Sequence, residues 1–161
     1  MRPATADYAA LIAALVDAKI EFIVVGGAAA VIHGAPITTQ DLDIVPARDP
    51  ENLARLLALL TSLDTRFRPV RPDRDIAPGP EHLAGEGQLN LITMHGPLDV
   101  LLRLHDSRGY DELVRNTLVI TDEGRATRVV DLDTLIAIKS STGRARDALV
   151  IPLLVAIRDR E

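Results

Sequence analysis

The chain has 161 residues, a length that suits a single folded core rather than two full domains. It is 47% hydrophobic, 25% charged and carries only four aromatic residues, so its core must be aliphatic, and the disordered, collagen-like and membrane-spanning classes are poorly supported. Zero cysteines exclude disulfides, thiolate nucleophiles and cysteine-based metal sites, and 23 acids against 18 bases (net −5) argue against a broad nucleic-acid-coating surface while leaving room for a local basic groove.

The first predicted element is a helix from Asp7 to Ala18, where Leu11, Ile12, Leu15 and Val16 recur at helical spacing. Phe22 to Val25 reads as a short β-branched strand ending in Gly26-Gly27, and Ala28 to His33 as a short helix stopped by Gly34 and Pro36. Asp41 to Val45 alternates polar and apolar up to Pro46, the pattern of a strand with one exposed face. Asp49-Pro50-Glu51 then opens a helix to about Leu63, with Pro50 placed at the first helical position.

Residues 64–86 hold four prolines and four arginines without a sustained period, which predicts a loop with at most a short strand at Phe67. Gln88 to Met94 and Leu98 to Leu104 form a predicted hairpin across His95-Gly96-Pro97. A short helix at Tyr110 to Arg115 precedes a second hairpin, Thr117–Thr121 with Thr127–Val130. Two helices follow, about 132–141 and 145–158, joined by Thr142-Gly143-Arg144. The N-terminal residues meet an acid by Asp7 and lack a continuous apolar stretch with a cleavage site, so the expected location is cytoplasmic, with no membrane partner.

The stretch that carries chemistry is Val25-Gly26-Gly27, thirteen further residues, and then Asp41-Leu42-Asp43-Ile44. A strand that ends in two glycines and opens a helix offers unobstructed backbone N–H groups at the positive end of a helix dipole, a setting suited to phosphate. Asp41 and Asp43, two apart on a strand, project to one face while Leu42 projects to the other. Paired carboxylates of this kind suit Mg²⁺ carrying a nucleoside triphosphate. A third carboxylate is expected to complete such a site, and Asp99, an isolated acid in the apolar run Pro97 to Leu102, is the natural candidate. Asp106, past the strand end, is a weaker one.

These residues resemble the signature of the nucleotidyltransferase-fold superfamily: a hydrophobic residue, Gly-Gly or Gly-Ser, a gap of nine to thirteen residues, then Asp-hydrophobic-Asp/Glu-hydrophobic. The resemblance covers about residues 20–103. It implies that Asp41, Asp43 and Asp99 hold magnesium, two ions in all, and that Asp99 assists deprotonation. Gly26 and Gly27 would contact the triphosphate of an NTP substrate. The C-terminal third resembles the AbiEii-like and minimal nucleotidyltransferases of toxin–antitoxin systems, in which a helical Lys precedes an Arg/Lys-Asp motif. Lys139 lies on a stripe with Leu132, Leu135 and Ile136, followed by Arg144, Arg146 and Asp147, and the resemblance assigns it to nucleotide phosphates.

The expected fold is therefore α+β (α/β): a small mixed β-sheet flanked by helices, a polymerase-beta-like core over about 20–130, and a C-terminal helical pair over about 131–159 in one domain. The expected activity is transfer of a nucleoside monophosphate from an NTP, ATP among them, to an acceptor hydroxyl. The acceptor stays open among tRNA or other RNA, a partner protein such as a cognate toxin or antitoxin, and a small molecule. A catalytically silent antitoxin or nucleotide-binding module is the alternative. Three residue-level alternatives also stand: Asp99 as a structural acid paired with Arg103, Lys139 snorkelling from its stripe, and Arg66, Arg68, Arg71 and Arg74 as a solvated loop rather than a nucleotide contact.

Overall fold

A computed structural model of the protein describes residues 2–161. Helix α1 (Tyr8–Asp17) is capped by Asp7, whose carboxylate accepts from the Ala10 backbone N–H at 3.0 Å, and it buries Leu11 and Leu15. Strand β1 (Phe22–Val25) runs directly into α2 (Gly26–Ile32), so the glycines are the first turn of the helix rather than a linker before it. Strand β2 (Leu42–Pro46) and helix α3 (Pro50–Ser62) follow, the latter capped by Asp49 with Pro50 at its start, as the sequence predicts.

Residues 64–86 contain the short strand expected at Phe67, β3 (Arg66–Phe67), and one unexpected helical turn, α4 (Pro80–Leu83), too short for periodicity to reveal. The hairpin β4 (Gln88–Thr93) and β5 (Gly96–Leu101) comes next. Helix α5 (Tyr110–Leu113) continues into a 3₁₀ turn before the second hairpin, β6 (Thr117–Asp122) and β7 (Arg125–Val130). Two helices close the chain, α6 (Leu132–Thr142) and α7 (Ala145–Arg160), separated by Gly143 at φ +71°.

All seven strands join one sheet in the order β3-β4-β5-β2-β1-β7-β6. Neighbours β1 and β2 are antiparallel, whereas β2 with β5 and β1 with β7 are parallel, which makes the sheet mixed. The interior position of β2 corrects the expectation of a half-exposed strand. With β1 and β5 bonded to its two edges, Leu42, Ile44, Val45 and Pro46 are all buried, and Asp43 alone is partly exposed. Aliphatic residues from α1, β1, β2, α3, β5, β7 and α6, joined by Leu154 of α7, form one continuous cluster. No helix among the described residues is long and apolar enough to cross a membrane.

Candidate active site

Strand register assembles the site. Val25 at the end of β1 lies opposite Asp43 of β2, Asp43 lies opposite Asp99 of β5, and Asp99 lies opposite Asn90 of β4. Directly opposed residues share a face of a sheet, so Asp43 and Asp99 project together beside the glycine turn. Asp41 immediately precedes β2 and completes the group: one carboxylate oxygen from each of Asp41, Asp43 and Asp99 lies within 4.8 Å of the others. Its backbone carbonyl accepts hydrogen bonds from the Tyr8 hydroxyl at 3.2 Å and from Thr39 Oγ1 at 3.4 Å, tying the acid to α1 and to the preceding loop.

Gly26 stands against this group. Its φ of +65° is in the left-handed region, and a Cβ built on it would lie 2.6 Å from Asp43 Oδ2. Both the conformation and the space exclude a side chain. Gly27 is less constrained, with its virtual Cβ 3.1 Å from Thr39 Oγ1.

The electrostatics are those of acids short of countercharge. Burial pushes the Asp43 carboxyl up to about 7, with the charges of Asp99 and Asp41 adding to the effect and the backbone N–H of Ala28 opposing it. Burial also raises Asp99, against the opposing pull of Arg68. Three hard oxygen donors whose mutual repulsion is only partly relieved are a donor set that fits a divalent cation such as Mg²⁺.

The relief comes from Arg68, which the sequence alone places in a solvated loop. Instead its Nη2 donates to Asp99 Oδ1 at 2.8 Å and lies 3.7 Å from Asp41 Oδ2, while Nη1 donates to the Leu91 carbonyl. The main chain explains this: Phe67 pairs with Leu91, and the Arg68 N–H continues the ladder to the Asn90 carbonyl at 2.9 Å. Arg68 is thus carried into the row that holds Asp99. Arg103 is not the partner of Asp99; it contacts Ser107, Glu86 and Glu112. Asp106 pairs with Arg108 and lies outside the group. Arg66, Arg71 and Arg74 do not join the site: Arg66 pairs with Asp64 and Asp75, Arg71 with Asp73, and the Arg71 and Arg74 backbones bridge each other.

Lys139 does not snorkel to solvent. It is 7% exposed, and its Nζ contacts Asp147 Oδ1 at 3.1 Å across the α6–α7 corner. Arg144 Nε and Thr142 Oγ1 donate to the other oxygen of Asp147 at 2.8 and 2.6 Å. Burial raises the Asp147 carboxyl, but these three donors outweigh it and hold the group at about 2. The Lys139–Asp147 spacing is visible in the sequence; that the turn at Gly143 folds Asp147 back onto Lys139 is not.

No family model matches the chain, and no curated protein matches it by sequence. Solved structures do. Lincosamide antibiotic adenylyltransferase LnuA, determined with lincomycin bound, superposes with a TM-score of 0.64 at 12% identity over 96% of this chain and 99% of that one. The antibiotic-resistance factor ANT(2'')-Ia gives 0.59 at 12% identity over 92% and 80%. A candidate nucleotidyltransferase from Thermotoga maritima gives 0.55 at 16% identity over 93% of both chains. The chain has the nucleotidyltransferase fold. Within that fold, β1, α2 and β2 bring the glycine turn and the first two acids together, β5 brings the third, and β3 and β4 bring Arg68 and Asn90 to the same row.

Proposed function

We propose that the protein is a Mg²⁺-dependent nucleotidyltransferase that moves a nucleoside monophosphate from an NTP to an acceptor hydroxyl. The convergence of Asp41, Asp43 and Asp99 beside the Gly26-Gly27 turn carries this reading. Asp41, Asp43 and Asp99 would hold the metal, two ions in the full site, and bound metal would neutralise phosphate charge and lower the pKa of the attacking hydroxyl. The Gly26-Gly27 turn, at the start of α2 and packed against Asp43 and Thr39, presents the backbone that phosphates would approach beside the acids. Lys139 is assigned to the nucleotide phosphates on the resemblance of its helix alone; its pairing with Asp147 means that such a contact competes with that carboxylate.

In the transfer, the acceptor oxygen forms a bond to the α-phosphorus. The bond from that phosphorus to the β-phosphate bridging oxygen breaks, and pyrophosphate leaves with the electron pair. The acceptor proton would pass to a carboxylate of the triad, a role that the family resemblance assigns to Asp99. Positioning and charge neutralisation supply most of the rate enhancement in phosphoryl-group chemistry of this kind. ATP is the donor to test first, since one structural neighbour, LnuA, is described as an adenylyltransferase.

The second reading is a catalytically silent nucleotide-binding module or antitoxin. Arg68 favours it, because its guanidinium neutralises Asp99 and Asp41 where a metal would otherwise do so. Incubation with each α-³²P-labelled NTP, Mg²⁺ and a whole-cell extract separates the two. Label transfer by the parent and none by Asp43→Asn supports the enzyme; NTP binding without transfer in either supports the silent module. Label recovered in tRNA would identify an RNA acceptor, and label in a co-purifying toxin or antitoxin would support a toxin–antitoxin role.

A further inference from the structure

The two edges of the sheet are finished differently. At one, β3 is two residues long and Pro69 follows two residues later, features that discourage addition of a further strand. At the other, β6 pairs with β7 in an unbroken register from Thr117↔Val130 to Asp122↔Arg125, with no proline, lysine or bulge to blunt it. Leu118, Val119 and Ile120 are 49%, 55% and 36% exposed. Successive residues of a strand point to opposite faces, so apolar surface is bare on both sides of this edge. The edge is also held firmly, because Arg125 grips Asp17 of α1 through Nε and Nη2 at 2.9 and 2.8 Å.

The hairpin fixes which main-chain groups of β6 are still available. Its two turn residues, Glu123 at φ +49° and Gly124 at φ +78°, are both left-handed, as in a type I′ turn, so the flanking pair Asp122 and Arg125 is hydrogen-bonded. Bonded pairs alternate along an antiparallel ladder, so Ile120 and Leu118 also bond β7. The Asn116 carbonyl, which accepts from the Asp131 N–H at 2.8 Å, continues the same set. Thr117, Val119 and Thr121 therefore direct their N–H and C=O groups away from β7, toward the open edge. Two exposed charges flank the strand: Arg115 before it and Glu123 after it, neither with an ion-pair partner among the described residues.

We propose that this edge binds a second copy of the chain, β6 against β6, antiparallel about a two-fold axis through Val119. The strand is complementary to itself in that register. Val119 opposes its own copy and Thr117 opposes Thr121, so every outward main-chain group meets an outward group. Leu118 opposes Ile120, an apolar pair on the other face. Beyond the strand ends, Arg115 of each copy comes opposite the partner's Glu123, so both unpaired charges gain a countercharge at the two ends of the contact. Sliding the register by one residue sets outward groups against inward ones, and sliding it by two separates Arg115 from Glu123. β7 and β1 stand between β6 and the strand that carries Asp43, so the contact lies away from the acids and does not depend on the proposed activity.

Sedimentation equilibrium of the full chain tests this. The contact is narrow, so a reversible dimer with Kd in the micromolar range is expected over loading concentrations up to about 200 μM. Arg115→Glu sets like charges opposite each other at both ends and should weaken the dimer about tenfold, while Arg115→Glu combined with Glu123→Arg should recover the parent's affinity. The chain has no cysteine, so single thiols report the register. A hydrogen-bonded antiparallel pair spaces its Cα atoms about 5.5 Å apart, within disulfide reach, so Val119→Cys should cross-link two copies under mild oxidation and Leu118→Cys alone should not. A parent that stays monomeric to about 200 μM, with no cross-link through Val119→Cys, overturns the proposal and leaves the edge to a strand of a different protein. A dimer indifferent to Arg115→Glu that cross-links through Leu118→Cys and not Val119→Cys overturns it as well.

Discussion

Arg68 Nη2 donates to Asp99 Oδ1 at 2.8 Å, joining an irregular segment to the third carboxylate of the site. The Asp99 side chain is only 7% exposed, so this is the cation that a metal-free protein uses to tolerate a charge inside its sheet. Removing it with Arg68→Met strands that acid. The expected loss is about 2 kcal/mol, or roughly 4–8 °C in Tm for a chain of this size, in the absence of divalent metal. Because the guanidinium and a divalent cation compete for the same oxygens, millimolar Mg²⁺ or Mn²⁺ should raise the Tm of Arg68→Met more than that of the parent. Differential scanning fluorimetry with and without metal reads this directly, and an equal shift in both proteins would show that the arginine does not occupy the metal's place.

Asp43 gives the metal-free protein a characteristic pH dependence. Its carboxyl is pushed up to about 7 from an ordinary 3.8, so between those values the folded chain holds a proton that the unfolded chain has released. Stability must then fall as pH rises from about 4 to about 7 and level off above, with the raised Asp99 contributing in the same direction. Thermal unfolding across that range without metal should show the decline. Asp43→Asn should flatten it, match or exceed the parent's stability above neutral pH, and abolish nucleotidyl transfer.

The two glycines should respond differently to a methyl group. Gly26→Ala forces a left-handed residue and drives Cβ to within 2.6 Å of Asp43 Oδ2, so a loss of about 1–2 kcal/mol or more is expected together with a large loss of transfer activity. Gly27→Ala meets the Thr39 side chain, with Oγ1 at 3.1 Å and Cβ at 3.2 Å, at an ordinary helical φ, and a smaller effect on stability is expected. Chemical denaturation of both variants alongside a transfer assay makes the comparison; equal costs would contradict the assigned geometry.

The α6–α7 corner separates structure from a phosphate role. Asp147→Asn leaves the buried Lys139 ammonium without its countercharge and should cost about 3 kcal/mol or more. Lys139→Met leaves Asp147 bonded to Arg144 and Thr142, so about 1–2 kcal/mol is expected. If Lys139 also contacts the nucleotide, Lys139→Met raises KM for NTP severalfold, a change that a purely structural pair would not produce. With Asp147 at about 2 in the folded chain and 3.8 as its ordinary value, this corner's contribution is complete above about pH 4 and is lost as pH falls through about 2.

Local chemistry was enough to read much of this protein from its sequence. The strand ending in Gly26-Gly27, the two-residue spacing of Asp41 and Asp43, the helix start at Asp49-Pro50 and both hairpins depend on neighbours within a few positions, where backbone sterics and alternation act directly. Asp99 could be nominated because an acid in an apolar strand demands a reason. What alternation cannot supply is which strand lies beside which. The sheet order sets Asp99 against Asp43, and the β3–β4 register turns Arg68 from an apparent loop residue into the countercharge of the site. Likewise the turn at Gly143 decides that Lys139 meets Asp147 rather than water. Length and composition determined a cysteine-free aliphatic core. Only the long-range pairing of strands decided which charges neutralise one another, because that choice rests on contacts between residues tens of positions apart.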